Sequence, residues 1–171
     1  NLIDRLLLEL SFVFTSLPQA LNGWRPDVIL LTVPPLLVTL PAIFLGWFYN
    51  CPVVLNVQDI LPEAAIQTGL LKNKFMIRGL QFLEKFAYKK SHTISVIADG
   101  FVKNLVNKKV PINKIACIPN WVNVNFIRPL PQRAKKWKAI HKLEDKFVVL
   151  YSGNIALTQG LETVIETAAS L

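Results

Sequence analysis

The feature that most restricts the fold is the stretch from Val28 to Gln58, which contains no charged side chain. Its length would allow a membrane-spanning helix, which needs about 20 consecutive apolar residues. Four prolines, at positions 34, 35, 41 and 52, divide it. Because proline interrupts helices, the stretch is predicted to form a strand (28–33), a helix (about 35–49) and a second strand (53–57). We therefore predict a buried parallel βαβ unit with its sheet covered on both faces, not a membrane span.

The same alternation of elements continues toward the C-terminus. The spacing of apolar residues predicts an amphipathic helix over 73–91, a strand over 93–97, a short helix over 99–107 and a strand over 114–118. The segment 2–21 is predicted to be mostly helical and to pack on the sheet. Strands that alternate with helices indicate an α/β fold with a doubly wound parallel sheet.

The pattern changes after residue 124. Residues 125–145 contain two further prolines and a basic stretch, and are predicted to be a linker with a short surface helix. The apolar run 146–153 is predicted to be a strand, and residues 160–171 its helix. We expect three parts: most of one domain (1–124), the linker (125–145) and the start of a second domain (146–171). Since the sequence begins with Asn and stops within a helical pattern, we expect a fragment.

Charge is concentrated in the middle of the chain. The whole sequence has a net charge of +8, but residues 61–145 hold sixteen basic and five acidic side chains, a net charge of +11. Such a segment suits a polyanion, a phosphate-bearing ligand or an anionic membrane face. The two cysteines and two histidines lack metal-ligand spacing, so no metal site is predicted. Without the pattern of a signal peptide, a cytosolic location is favoured.

Polar residues follow the predicted strand 53–57. In open parallel sheets ligands bind beyond the carboxyl ends of the strands, where Gln58, Asp59 and Glu63 are expected. Asp59 could accept a proton from a hydroxyl nucleophile, and Gln58 could hydrogen-bond to a sugar or phosphate. The alternative is that Asp59 caps the helical turn that follows it.

A second polar strand end lies at residues 151–162. A glycine turn at Gly153, with a second glycine, Gly160, at the helix start, leaves backbone amides that suit a phosphate. The loop between them holds no Lys or Arg. An ordinary strand-to-helix turn is an equally good interpretation of this pattern.

Taken in order, five segments resemble a bacterial family-4 glycosyltransferase of the GT-B fold, of the branch that makes colanic acid, O-antigen and related surface polysaccharides. They are RPDVILLTVPP, PVVLNVQDILPEAA, FLEKFAYKKSHTISVIADGF, KIACIPNWVN and FVVLYSGNIALTQGLETVIE. The resemblance implies two Rossmann-like domains, the first for a saccharide acceptor and the second for a nucleotide-diphosphate sugar. It also implies hexosyl transfer with retention at the anomeric carbon, without a cofactor or an obligatory metal.

The resemblance also implies roles for single residues. Asp59, Pro62 and Glu63 match the Asp-x-x-Pro-Glu pattern of the branch, whereas Gln58 stands where many members have histidine. Asp59 and Gln58 are the predicted catalytic residues. Predicted substrate contacts are Pro34, Glu63 and Asn120.

The donor loop matches the family only in part. Its glycines are present, but Asn154 and Thr158 stand where an arginine and a lysine often contact the donor phosphates. Predicted donor-phosphate contacts are Gly153, Asn154, Thr158 and Gly160. The glutamate pair that usually grips the donor sugar would lie beyond Leu171, so this fragment alone is expected to be inactive.

The helix predicted over 73–91 has a basic side flanked by Phe75, Phe82 and Phe86. This arrangement suits an anionic membrane surface, with Arg78, Phe82, Lys85 and Lys89 facing the membrane. An ordinary charged surface helix is the alternative. A lipid-linked acceptor would make a peripheral location on the inner face of the plasma membrane useful.

The expected partners are a nucleotide sugar and a saccharide or lipid-linked saccharide acceptor, and no nucleic acid. Two other functions stay open at the level of sequence. One is a GT-B nucleotide-sugar epimerase, and the other is a non-catalytic sugar-binding or membrane-associated scaffold protein.

Overall fold

A computed structural model describes residues 2–69, 71–155 and 159–170. The chain divides into two compact units, Asn1–Pro119 and Asn120–Leu171, here named unit 1 and unit 2. The predicted domain boundaries at residues 124 and 145 stay a prediction.

Unit 1 is built on a four-stranded parallel sheet whose strands lie side by side in chain order. These are β1 (Ile29–Val33), β2 (Val53–Val57), β3 (Thr93–Val96) and β4 (Ile115–Cys117). Its helices are α1 (Leu2–Leu21), α2 (Thr39–Tyr49), α3 (Glu63–Gln67), α4 (Lys74–Lys90) and α5 (Asp99–Asn107), with 3₁₀ turns at Leu36–Val38 and Ile112–Lys114. The predicted α/β fold with a Rossmann-like parallel sheet is confirmed. None of the helices in the described part of the chain has the length and hydropathy to cross a bilayer.

Prolines and a glycine explain how α2 reaches the sheet. Instead of one helix from residue 35, the chain makes the 3₁₀ turn Leu36–Val38 and then α2. Pro41 lies in the first turn of α2, where its missing N–H leaves no hydrogen bond unmade. A Cβ on Gly46 would collide with the Val53 side chain, so glycine allows α2 to lie directly on β2.

The core lies between one face of the sheet and the helices. Leu55, Val57, Ile94 and Val96 are fully buried there and belong to one cluster with Ala87 of α4 and Leu105 of α5.

The prediction that both faces of the sheet are covered is wrong at the edge strand β1, because Leu30, on the face opposite the core, is 68% exposed. Right-handed crossovers between strands laid down in the order 1-2-3-4 place every connecting helix on the same face.

The N-terminal helix does not pack as predicted. α1 makes its main contacts with the 3₁₀ turn and with α2, not with the sheet. The Tyr49 hydroxyl at the end of α2 donates to the Leu21 carbonyl at 3.3 Å, and Arg25 donates to the Tyr49 carbonyl at 3.1 Å. α1 therefore extends the helical layer.

Unit 2 contains α6 (Pro131–Ile140) and α7 (Leu161–Ala169). α6 is the predicted surface helix, exposed along nearly its whole length, and α7 is the predicted final helix. The strand predicted over 146–153 is wrong: no strand forms among the described residues of unit 2, and Phe147 is 96% exposed. An extended segment needs a neighbouring strand to satisfy its amides and carbonyls, and the described part of unit 2 supplies none.

Candidate functional site

The predicted catalytic pair lies at the carboxyl edge of the sheet. Gln58 and Asp59 follow β2, and Pro34 follows the neighbouring parallel strand β1 at the same edge. The backbone N–H of Gln58 donates to the Val33 carbonyl at 3.0 Å, which continues the hydrogen bonding between β1 and β2 one residue past β2. Asp59 is exposed at the end of this ladder.

The structure does not support the alternative that Asp59 is a helix cap. α3 begins at Glu63 with Pro62 at its N-cap position, and no side chain caps it. The Asp59 carboxylate therefore does not cap the N-terminus of this helix.

Asn56 holds Gln58 in place from the sheet face opposite the core. Its amide nitrogen lies 3.4 Å from the Thr32 hydroxyl, and its Oδ1 accepts from Ser95 Oγ at 3.2 Å. The same oxygen accepts from Gln58 Nε2 at 3.1 Å. This row joins three strands and orients the Gln58 side chain beside Asp59.

The Glu63 carboxylate is held by residues around α5. Oε2 accepts from Asn104 Nδ2 at 2.8 Å, and Oε1 lies 3.1 Å from Lys108 Nζ. Lys108 Nζ is also 2.6 Å from Glu84 Oε1, which accepts from the Tyr88 hydroxyl at 3.0 Å. One lysine between two carboxylates thus joins the segment after Asp59 to α4 and α5. Glu63 thus has a structural role, and its contact with substrate stays a prediction.

Burial dominates the titration of this cluster. It raises the pKa of Glu84, and the hydrogen bond and positive charge of Lys108 oppose that rise. Burial, with the charge of Glu84, also holds the pKa of Tyr88 far above its usual range, so its hydroxyl stays a donor. Burial lowers the pKa of Lys114, whose ammonium group donates to the carbonyls of Tyr88 (2.7 Å) and Lys89 (2.9 Å) at the end of α4.

This cluster was not predicted from the sequence. Glu84 lies on the apolar side of α4, between Leu80 and Ala87 in the helical repeat, and an acid at such a position signals a buried partner. Lys108 and Asn104 have no comparable signal, because polar residues are ordinary on a short surface helix.

Unit 2 contains the predicted donor loop. Gly153, Asn154 and Gly160 are exposed, and Thr158 lies outside the described residues. The Tyr151 hydroxyl donates to the Asn154 carbonyl at 2.9 Å and closes a turn over Gly153. Gly160 has a φ of +57° and immediately precedes α7. Asn120, the first residue of unit 2, is exposed.

The predicted membrane-facing residues share one exposed side of α4. Arg78, Lys85 and Lys89 are exposed there, and Phe82 is 74% exposed. Phe86, predicted to flank them, is instead half-buried and lines a cavity with Phe44 and Trp47 of α2. The helical repeat turns Phe86 toward α2, so it belongs to the helical layer.

Comparison with known proteins identifies similar sequences for nearly the whole chain. Residues 3–121 match the family described as "Glycosyl transferase 4-like domain". The chain is 29% identical to a colanic acid biosynthesis glycosyl transferase of Escherichia coli (strain K12), WcaI, over 99% of this chain and 43% of that protein. It is 26% identical to a Pseudomonas aeruginosa glycosyltransferase, WbjE, over 96% of this chain and 42% of that protein.

A third relative matches a shorter part of the chain. The chain is 27% identical to an alpha-galactosylglucosyldiacylglycerol synthase of Streptococcus pneumoniae (strain ATCC BAA-255 / R6), over 60% of this chain and 28% of that protein. The chain thus spans about two-fifths of the length of the first two relatives.

Proposed function

Because the chain belongs to the glycosyl transferase 4-like domain family, we propose that the whole protein transfers a sugar from a nucleotide-diphosphate sugar to a saccharide acceptor. The observation that carries the proposal is the exposed carboxylate of Asp59 at the carboxyl end of β2. Parallel sheets bind ligands at this edge. The names of the relatives support a role in polysaccharide or glycolipid synthesis.

In the proposed reaction the acceptor hydroxyl attacks the anomeric carbon of the donor sugar. The bond from that carbon to the diphosphate breaks, and the nucleoside diphosphate leaves with the electron pair. Asp59 takes the proton of the hydroxyl, and Gln58, oriented by Asn56, hydrogen-bonds to the sugar. For the product to retain the anomeric configuration, as in the family that the sequence resembles, the hydroxyl approaches the same face of the sugar from which the diphosphate leaves.

The remaining predicted contacts complete the proposal. Pro34 and Glu63 lie on the acceptor side of the site, and Asn120 also contacts substrate. Backbone amides of the donor loop hold the donor phosphates, without a metal. The loop residues are Gly153, Asn154, Thr158 and Gly160.

The acceptor is proposed to be lipid-linked, and the protein to work as a peripheral protein on the cytoplasmic side of the plasma membrane. The exposed side of α4 supports this location, because it combines Phe82 with Arg78, Lys85 and Lys89. Basic residues beside aromatics hold helices at anionic headgroup layers.

The test uses the full-length enzyme with a panel of nucleotide sugars and a polysaccharide acceptor. Asp59→Asn should lower the transfer rate by about 10²- to 10⁴-fold, the usual contribution of a positioned base. Asp27→Asn is the matched control, because Asp27 is also exposed but lies before β1, at the opposite edge of the sheet. A well-folded Asp59→Asn enzyme with wild-type transfer would contradict the proposal. Interconversion of the nucleotide sugar without an acceptor would identify an epimerase instead.

A further inference from the structure

A cavity of about 480 Å³ lies between α4 and the segment that follows α5. Five lysines line it, and we name it the lysine groove after them: Lys85, Lys89, Lys108, Lys109 and Lys114. Its volume is in the range of small-ligand sites. The proposed sugar transfer does not use these side chains.

Two of the five lysines are paired within the protein. Lys108 lies between the carboxylates of Glu63 and Glu84, and Lys114 donates to two carbonyls at the end of α4. Within the described part of the chain, the ammonium groups of the other three lysines have no hydrogen bond or ion pair: Lys85, Lys89 and Lys109.

The floor and the charge of the groove favour an anion. Tyr88 and Glu84 are buried at its floor, and the only acids that line it, Glu63 and Glu84, are already paired with Lys108. Five lysines and two glutamates leave a net charge of +3. Three unpaired cations around a partly enclosed cavity are suited to a phosphate group.

Two of the unpaired lysines also connect the groove to the exposed side of α4. Lys85 and Lys89 line the groove, and they share that side of the helix with Phe82, which is 74% exposed. An aromatic ring next to ammonium groups is typical of a surface in contact with lipid headgroups. A ligand in the groove would therefore lie next to the part of the protein proposed to touch the membrane.

We infer that the lysine groove binds the phosphate of an anionic phospholipid headgroup, held by Lys85, Lys89 and Lys109. The inference rests on the proposed membrane location, and it adds which lipid group is bound and which side chains bind it. Lys109 distinguishes binding in the groove from binding to the exposed side of α4, because it lines the groove and lies outside α4.

The test measures binding of the full-length protein to vesicles of phosphatidylglycerol in phosphatidylcholine, and to phosphatidylcholine alone. Lys109→Gln should weaken binding to the anionic vesicles by about fivefold, and the triple change of Lys85, Lys89 and Lys109 to Gln by about a hundredfold. The matched control is Lys103→Gln, an exposed lysine of α5 that does not line the groove, for which we expect less than a twofold change.

Two outcomes would overturn the inference. Equal losses for Lys109→Gln and Lys103→Gln would mean that only general electrostatic attraction acts. Binding of inorganic phosphate or pyrophosphate that depends on Lys109, without a preference for phosphatidylglycerol, would identify a soluble phosphate ligand.

The inference and the proposed function can fail separately. Lys109→Gln should leave transfer to a soluble acceptor at the wild-type rate, because Lys109 has no part in the proposed chemistry. Conversely, a vesicle preference that depends on Lys109 would stand even if Asp59→Asn left sugar transfer intact.

Discussion

Two segments of the chain have the same local pattern, an apolar run followed by polar residues, and only one of them forms a strand. Residues 53–57 form β2 between β1 and β3, and Leu55 is fully buried. Residues 147–155 pair with no described strand of unit 2, and Leu150 is 68% exposed. An apolar run thus becomes a strand where neighbours satisfy its backbone and cover its side chains.

The same contrast applies to the polar residues at the ends of the two segments. Gln58 is held by a backbone bond to β1 and by Asn56. In unit 2, the turn at Gly153 is closed by a bond from Tyr151 only three residues away from its acceptor, Asn154. The first site is therefore built by the sheet, and the described part of the second by a contact between near neighbours in the chain.

The sharpest test of this contrast applies one substitution to both segments of the 171-residue chain. Leu55→Ala should lower the free energy of unfolding by about 3 kcal/mol, because it leaves a cavity in the core. Leu150→Ala should change it by less than about 0.5 kcal/mol. Urea unfolding followed by circular dichroism measures both. Equal losses would show that residues 147–155 are packed like β2.

A second test concerns what holds the segment after Asp59. Lys108→Met should lower the free energy of unfolding by about 3 kcal/mol, because it leaves the buried Glu84 carboxylate without its cation. Lys103→Met removes an exposed lysine from the same region, and should have little effect. If the two variants unfolded at the same urea concentration, the Lys108 cluster would be of no consequence for stability.

The third test concerns the locally built turn. In the full-length protein, Gly153→Val should raise the dissociation constant of the donor about tenfold, the equivalent of about one lost hydrogen bond. The valine side chain should act by displacing Tyr151, whose hydroxyl would lie 2.9 Å from a Cβ on residue 153. Calorimetry of the nucleotide sugar measures the change. Gly79→Val is the control, since a Cβ there meets nothing within 4 Å. Unchanged donor binding in Gly153→Val would remove this turn from the site.

The smallest expected effect is on the pH dependence of stability. Burial raises the pKa of Glu84 above its ordinary value of 4.5, so the folded protein keeps this proton at pH values where the unfolded chain has lost it. The contribution of Glu84 to stability is therefore complete below pH 4.5 and is lost as pH rises through the raised pKa.

Urea unfolding between pH 4 and 7 tests this dependence. The free energy of unfolding of the wild type should fall more steeply with rising pH than that of Glu84→Gln, in which every other titrating group is kept. Parallel curves for the two proteins would mean that Glu84 titrates as it does in the unfolded chain.

The sequence alone was enough to predict the four strands of unit 1, its longer helices and the place of Asp59. Prolines and apolar spacing act over a few consecutive residues, so they predicted β2, α4 and α5 closely. The parallel order of the strands then placed Gln58 and Asp59 at the carboxyl edge, because consecutive parallel strands end at the same side of a sheet.

Only the tertiary structure decided which residues meet across the chain. Glu63 and Asn104 are 41 positions apart and lie in contact, and Lys108 reaches Glu84 across 24 positions. The lack of a strand over the described residues 146–153, the exposure of β1 on the face opposite the core and the lysine groove could not be predicted from the sequence either. Each depends on which elements lie side by side, and no local spacing of residues encodes that choice.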